Sequence, residues 1–246
     1  CCLSIEDVAA AAKRLKEILR KTELIESPVF SSECGNQVYI KPENLQATGA
    51  FKIRGAFNKI SKLSDVEKNR GVIAASAGNH AQGIGYAAQQ LGAKAVLVMP
   101  ATTPIIKVEA TKSYGVEVVL HGDTYDEAYK KARELETLHD YVFVHPFDDM
   151  DVILGQGTLA LEIIEELADV DEILVPIGGG GLISGIAFAA KMLKPSIRIV
   201  GVEPEGACCM AESLAKNQVV ELKKGDTMAD GVAVKRKGAL TFELIK

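Results

Sequence analysis

Short apolar runs alternate with segments of helical period along almost the whole sequence. The apolar runs, rich in Val, Ile and Leu, lie at residues 37–40, 71–75, 95–99, 116–120, 141–144, 172–177 and 197–202. The helix-period segments lie around residues 5–20, 53–62, 79–91, 104–114, 123–138, 157–168 and 182–193. Strands that are apolar on both faces and joined by helices are typical of parallel sheets covered by helices. The alternation therefore predicts an α/β fold, with loops at one sheet edge where ligands bind.

Composition and charge exclude several other classes of protein. Of the 246 residues, 48% are hydrophobic and 25% are charged, which is typical of a folded chain and not of a disordered one. The formal net charge is −5 and no five-residue run is strongly basic, which argues against a nucleic-acid partner. No apolar stretch reaches the roughly 18 residues that a membrane span needs, and the amphipathic first segment does not resemble a signal peptide. We therefore expect a cytoplasmic protein with one large domain or two modest ones.

The cysteines and histidines indicate neither a disulfide framework nor a zinc site. The five cysteines are odd in number, include two adjacent pairs and form no C-x-x-C motif. The four histidines show no H-E-x-x-H or H-x-x-x-H spacing. We therefore expect most of the histidines to lie at the surface or to be hydrogen-bonded in the core.

Four consecutive glycines, Gly178–Gly181, stand between an apolar run and a helix-period segment. Four glycines cost more chain entropy than a simple turn requires. Without side chains, successive backbone N–H groups can converge on an anion, and the helix that follows adds the positive end of its dipole. Ile183 and Ser184 break the G-x-G-x-x-G pattern, and no P-loop motif is present. The glycines therefore predict a phosphate site of neither the dinucleotide nor the ATP type.

Lys52 begins the helix-period segment that follows TGAF. Apolar residues at i, i+3, i+4 and i+7 within residues 53–60 predict a buried helix face, with Lys52 at its edge in the first turn. The positive helix end and burial next to Phe51 would both disfavour the ammonium form. The sequence therefore predicts an amine that can act as a nucleophile or base near neutral pH.

The segment SAGNHAQG, residues 76–83, follows an apolar run and opens the next helix. Ser76, Asn79 and His80 offer hydrogen-bond donors, and the N–H groups of the turn could hold a carboxylate. Two weaker motifs overlap this segment. Residues 74–78 approximate the nucleophile elbow of serine hydrolases but lack its first glycine, and Gly83 and Gly85 match a permissive dinucleotide pattern. We favour close packing of helices or strands as the role of this glycine pair.

A reactive lysine, a phosphate cradle and a carboxylate turn together suggest pyridoxal 5'-phosphate with an amino-acid substrate. Seven segments, TGAFKIRGAFNK, SAGNHAQG, HPFDD, GQGT, PIGGGGLISG, GVEPEGA and MADGVAV, resemble in order and spacing the serine/threonine dehydratases (threonine ammonia-lyases) of the fold type II pyridoxal-phosphate enzymes. The resemblance covers nearly the whole chain. It implies a tryptophan-synthase-β-like fold with a large domain, residues 1–52 plus 146–246, a small inserted domain, residues 53–145, and the cofactor between them.

The resemblance also implies a role for each site residue. Lys52 would be the catalytic residue joined to the cofactor, Phe51 would pack beside the cofactor ring, and Asn79 would hydrogen-bond its 3′-oxygen. The phosphate would be held by the amides of Gly178, Gly179, Gly180, Gly181 and Leu182. The substrate carboxylate would be held by the turn of Ser76, Ala77, Asn79 and His80. The implied reaction is deaminating β-elimination of L-threonine or L-serine to 2-oxobutanoate or pyruvate plus ammonia.

The sequence departs from this family's pattern at four places. Ala50 stands where many relatives have serine just before the Phe-Lys pair. Serine racemases carry a serine where this chain has Ala77, so racemisation is disfavoured. Metal-binding relatives have an acidic residue where this chain has Cys209, which leaves Glu203 and the Ala207 carbonyl as a poor site for a hard cation, and we expect no metal. Relatives continue well beyond TFELIK, so the resemblance implies that a C-terminal part of the fold, with a Ser or Cys that faces the pyridine nitrogen, is missing from this sequence.

Four alternatives remain open at this level. The chain could be a serine racemase, or a threonine or cysteine synthase, within the same fold. It could be a nicotinamide-dependent oxidoreductase that uses Gly83 and Gly85. It could also be a non-catalytic, ligand-binding relic of the fold. The family further implies a homodimer or homotetramer with a small amino acid as its ligand.

Overall fold

The computed structural model describes residues 3–246, and the predicted α/β fold is confirmed in that part of the chain. Its strands are β1 Ile25–Glu26, β2 Tyr39–Ile40, β3 Val72–Ala75, β4 Ala95–Met99, β5 Glu117–Leu120, β6 Val142–Phe143, β7 Glu172–Pro176 and β8 Arg198–Val202. Its α-helices are α1 Ile5–Leu15, α2 Pro28–Cys34, α3 Lys52–Ser61, α4 Asp65–Arg70, α5 Asn79–Leu91, α6 Ile105–Lys112, α7 Tyr125–His139, α8 Met150–Glu166, α9 Gly181–Leu193, α10 Cys209–Lys216 and α11 Ala239–Ile245. All seven predicted strands are present.

Parallel pairing dominates the sheets. Four strands form a parallel sheet in the order β5-β4-β3-β6, and β7 pairs with β8 in a separate parallel pair. Strands β1 and β2 form a short antiparallel pair. Every residue of β3 and β4 is buried, as the apolar runs predict, but β7 alternates between buried and exposed positions and leaves Leu174 63% exposed. The expectation of two buried faces is therefore wrong for β7.

Helix α8 begins seven residues earlier than the sequence predicts, and the reason is its glycines. A Cβ atom on Gly155 would lie 2.5 Å from the Arg54 carbonyl oxygen in α3, and one on Gly157 would lie 2.9 Å from the Gly185 carbonyl oxygen in α9. These glycines look like helix breakers in the sequence. In the structure they let α8 contact both α3 and α9 closely, so α8 fixes the distance between those two helices.

The glycine pair in α5 also serves close packing, as the sequence predicts. A Cβ atom on Gly83 would lie 3.1 Å from the backbone of Lys52 and Ile53, and one on Gly85 would lie 2.9 Å from the Tyr114 ring. Both glycines lie inside α5 and not at the turn after β3. The first turn of α3 therefore packs directly against α5 at Gly83.

Three further sequence expectations concern the cysteines, membrane-spanning helices and the domain boundaries. Cys34, Cys208 and Cys209 are free thiols, while Cys1 and Cys2 lie outside the described residues. Within residues 3–246, no helix combines the length and apolar character that crossing a bilayer requires. The division into domains at residues 52 and 145 stays a prediction.

Candidate active site

Lys52 is the first residue of α3, and its amine lies among protein atoms. Its Nζ atom donates a hydrogen bond to the carbonyl oxygen of Pro146 over 2.8 Å and lies 5.4 Å from the centre of the Phe51 ring. Burial of the amine lowers the pKa of Lys52 from its ordinary value of 10.5 to about 8. The Lys52 residue as a whole is half-buried. Lys52 therefore carries a buried amine whose pKa is lowered towards neutral pH, as the sequence predicts.

The four glycines form a bend whose N–H groups are free to bind a ligand. Among the described residues, the amides of Gly178 to Leu182 donate to no protein acceptor. The carbonyl oxygens of the same bend are occupied: that of Gly178 accepts from Lys237 Nζ, that of Gly179 from Thr241 Oγ1 and that of Gly180 from the Ser184 amide. Successive free N–H groups at the start of α9 are the arrangement that binds phosphate. We call residues 178–181 the glycine bend.

Side chains would not fit in the glycine bend. A Cβ atom on Gly179 would lie 2.1 Å from the Phe147 ring, and one on Gly181 would lie 3.0 Å from the Phe147 backbone. Gly180 has a φ of +97°, which non-glycine residues rarely adopt. Gly179, Gly180 and Gly181 are therefore required by the shape of the bend.

The segment His145–Asp149 connects the lysine to the glycine bend. Pro146 accepts the hydrogen bond from Lys52, and Phe147, the next residue, packs on the bend. The His145 Nδ1 atom accepts from the amides of Phe147 and Asp148 over 3.3 and 2.8 Å, and burial lowers the pKa of His145 to about 4. His145 is therefore a neutral acceptor that holds this segment in a turn. In the sequence, HPFDD carries only a family resemblance, and nothing in it indicates this supporting role.

The turn between β3 and α5 brings the predicted carboxylate-binding residues together. In the described part of the chain, the backbone N–H groups of Ala77, Asn79 and His80 donate to no protein acceptor. The Asn79 residue is exposed, and the Ser76 hydroxyl accepts a hydrogen bond from the Gly78 amide over 3.3 Å. Burial and the nearby Lys52 charge lower the pKa of His80 to about 3.

The imidazole of His80 donates its one proton to the protein backbone and not to a ligand. Its Nε2 atom lies 2.9 Å from the Val144 carbonyl oxygen, and a carbonyl can only accept, so Nε2 carries the proton of the neutral ring. The buried Nδ1 atom has no protein partner among the described residues and can act only as an acceptor. What His80 offers a carboxylate is therefore its backbone N–H and not its ring.

Glu203, the weak metal candidate, already has protein partners. Its carboxylate accepts from Lys237 Nζ over 2.8 Å and from the amides of Met210 and Ala211 over 3.0 and 2.8 Å. Within residues 3–246, no three His, Cys, Asp or Glu side chains lie close enough together to hold a metal ion. Nothing brings a second acidic ligand to Glu203 and the Ala207 carbonyl, and the expected absence of a metal stays a prediction.

Comparison with known proteins finds one matching family and several close relatives. The family described as pyridoxal-phosphate dependent enzyme matches residues 15–246. L-threonine ammonia-lyase of Thermotoga maritima is 48% identical over 244 residues, which are 99% of this chain and 61% of that protein. The catabolic L-threonine dehydratase TdcB of Escherichia coli is 46% identical over 99% of this chain and 74% of that protein. The chain therefore spans less than two thirds of the first of these relatives.

Solved structures share the fold of this chain over nearly its whole length. The processed form of threonine deaminase isoform 2 from Solanum lycopersicum has a TM-score of 0.94 at 44% identity, over 98% of this chain and 69% of that one. Maize serine racemase has a TM-score of 0.95 at 36% identity, over 100% of this chain and 74% of that one. The fold alone thus accommodates both deamination and racemisation.

Proposed function

The chain belongs to the family of pyridoxal-phosphate dependent enzymes, and from that premise we propose that it deaminates L-threonine, and also L-serine, by β-elimination. The products are 2-oxobutanoate or pyruvate, with ammonia. The observation that carries this proposal is the 46–49% identity to threonine ammonia-lyases and dehydratases over nearly the whole chain. Maize serine racemase is less similar, at 36% identity.

The residues of the site fit pyridoxal 5'-phosphate. The Lys52 amine can join an aldehyde, and the free N–H groups of the glycine bend, with that of Leu182, match a phosphate. Phe51 lies beside the Lys52 amine for contact with the ring, and Asn79 is exposed at the start of α5 for contact with the 3′-oxygen. When bound, the cofactor supplies an aldehyde that captures the substrate amine and an electron-withdrawing ring that makes the Cα proton acidic.

The protein then has to orient the substrate and move a proton. The free N–H groups of Ala77, Asn79 and His80 hold the substrate carboxylate. The Lys52 Nζ atom, with its pKa near 8, removes the Cα proton and then supplies a proton to the departing β-hydroxyl, which leaves as water. Water returns in the hydrolysis that releases ammonia, so that threonine gives 2-oxobutanoate and ammonia overall. When the Lys52 amine is free, the Pro146 carbonyl accepts a hydrogen bond from it.

The proposed architecture encloses this chemistry between a large domain, residues 1–52 plus 146–246, and a small one, residues 53–145. We further propose a cytoplasmic homodimer or homotetramer, which light scattering of the purified protein tests.

A direct assay tests the reaction. Purified protein is loaded with pyridoxal 5'-phosphate and incubated separately with L-threonine, L-serine and other amino acids, and 2-oxo acid and ammonia are measured. We expect both products from threonine. In Lys52→Ala we expect both products to be lost, and the visible absorbance of the bound cofactor to be lost as well. Spectral change on adding threonine without any product would instead favour a ligand-binding relic of the fold.

A further inference from the structure

Lys237 is a lysine with a fully buried side chain that lies behind the glycine bend. Its side chain has no exposed surface, whereas lysine is almost never fully buried unless it is paired. Its Nζ atom lies 2.8 Å from Glu203 Oε1 and donates a hydrogen bond to the Gly178 carbonyl oxygen. The ammonium group therefore bridges a buried carboxylate and the first residue of the bend.

The carboxylate on the other side of this bridge is itself fixed. Glu203 follows β8, and its two oxygens accept the amides of Met210 and Ala211 in the first turn of α10. The neighbouring Cys209 thiol donates to the Val234 carbonyl, and burial raises the pKa of that thiol, so Cys209 stays uncharged. Among residues 3–246, Glu203 is thus the one carboxylate that forms an ion pair with Lys237.

The planar peptide bond carries the effect of Lys237 to the front of the bend. In a trans peptide the C=O of one residue and the N–H of the next point in opposite directions. A hydrogen bond that holds the Gly178 carbonyl towards Lys237 therefore turns the Gly179 N–H the other way. Thr241 acts in the same manner on the next peptide, because its hydroxyl donates to the Gly179 carbonyl over 2.8 Å and so orients the Gly180 N–H.

We propose that Lys237 is a positioning residue for the phosphate site. Its ammonium is a built-in cation that ties Glu203 to the Gly178 carbonyl and presents the Gly179 N–H to the phosphate group. The glycine bend is thereby oriented by a side chain of the protein itself, without an added metal ion. This inference rests on the cofactor of the family and not on the proposed substrate, so a failure of threonine deamination leaves it standing.

Phosphate binding by the cofactor-free protein is the most direct test. We compare wild-type protein, Lys237→Met and the control Lys235→Met, whose side chain is 51% exposed and 4.0 Å from its nearest carboxylate. Calorimetry gives the affinity for inorganic phosphate, and fluorescence gives the affinities for pyridoxal 5'-phosphate and for pyridoxal, which lacks the phosphate. We expect Lys237→Met to lose about tenfold or more in affinity for both phosphate ligands and to keep its affinity for pyridoxal. Equal losses for all three ligands, or no loss, would overturn the proposal.

A second variant covers the case in which Lys237→Met does not fold, because it leaves Glu203 as an unpaired buried charge. The double variant Lys237→Met, Glu203→Gln removes both charges and restores neutrality. We expect it to fold, to bind pyridoxal and still to bind phosphate weakly. Wild-type phosphate affinity in this double variant would overturn the proposal, since orientation of the bend would then not need the ammonium.

Chelation tests whether the Lys237 ammonium, and not a metal ion, orients the glycine bend. We expect wild-type phosphate affinity to be the same before and after treatment with EDTA, and we expect methylammonium to restore part of the affinity of Lys237→Ala. A loss of wild-type affinity on chelation that added magnesium reverses would show that a metal ion sets the bend, and would contradict the proposal.

Discussion

The Nζ atom of Lys52 lies 2.8 Å from the carbonyl oxygen of Pro146 and donates a hydrogen bond to it. The residue after Pro146, Phe147, packs its ring against Gly179. One short segment therefore supports both the amine and the phosphate cradle, although the two are 126 positions apart in the sequence. A change in this segment should affect both halves of the site.

The lowered pKa of Lys52 gives a prediction about its reactivity. Another lysine on the same helix, Lys59, serves as the internal control. Acylating reagents react with neutral amines, so the reactivity of Lys52 in the cofactor-free protein should rise as pH increases through about 8. Lys59 lies two turns further along α3, and Asp149 and Asp151 raise its pKa despite burial, so it should react only at much higher pH. Acetic anhydride labelling with mass spectrometry follows both lysines in one sample. Equal pH profiles for the two lysines would contradict the assignment of Lys52 as the activated amine.

The contact between Gly179 and Phe147 predicts a variant pair. A methyl group on Gly179 would collide with the Phe147 ring, so Gly179→Ala should lose about tenfold or more in affinity for pyridoxal 5'-phosphate. Phe147→Ala removes the colliding ring, and the double variant should recover part of the affinity. Fluorescence titration of the four proteins gives the coupling between the two positions. Additive effects would show that the collision is not the cause.

Arg54 should be a structural and not a catalytic residue. Its buried guanidinium forms ion pairs with Glu43 over 2.8 Å and with Glu162 over 2.5 Å, which anchor the helix that begins with Lys52. Arg54→Met strands two carboxylates and should lower the free energy of unfolding by about 3 to 5 kcal/mol. Arg70 pairs with Asp140 at the surface, and Arg70→Met should cost less than about 1 kcal/mol. Urea denaturation measures both, and similar losses would argue against a central role for the Arg54 network.

Much of the fold could be predicted because its signals are local. The apolar runs that became β3 and β4 and the helical period of α5 are readable from a few residues each. The start of α8 could not be read in this way, because Gly155 is favoured there only by the close approach of α3. Short helices such as α4, with six residues, carry too little periodicity to be recognised.

The candidate site also has residues that local sequence reveals and residues that matter only through distant contacts. Lys52 and the glycine bend have unusual residue types at the start of helices, so local sequence is enough to find them. The supporting groups are ordinary residues that matter through distant contacts, such as Lys237, which reaches Gly178 across 59 positions. No local pattern distinguishes Lys237 from the exposed Lys235 two residues earlier.

Ala77 should decide between deamination and racemisation. It lies in the turn between β3 and α5 that holds the proposed carboxylate-binding amides. The family resemblance implies that racemases carry a serine at this place, on the side of the substrate opposite the lysine. Racemisation needs a proton delivered to that side, and a methyl group has none to give. The parent should therefore form pyruvate from L-serine faster than D-serine, and Ala77→Ser should gain about tenfold or more in D-serine formation. Chiral chromatography of both products measures the ratio, with Ala77→Gly as the control for a change in space alone. A parent that already racemises serine as fast as it deaminates it, or an equal gain in Ala77→Gly, would show that the hydroxyl is not what separates the two reactions.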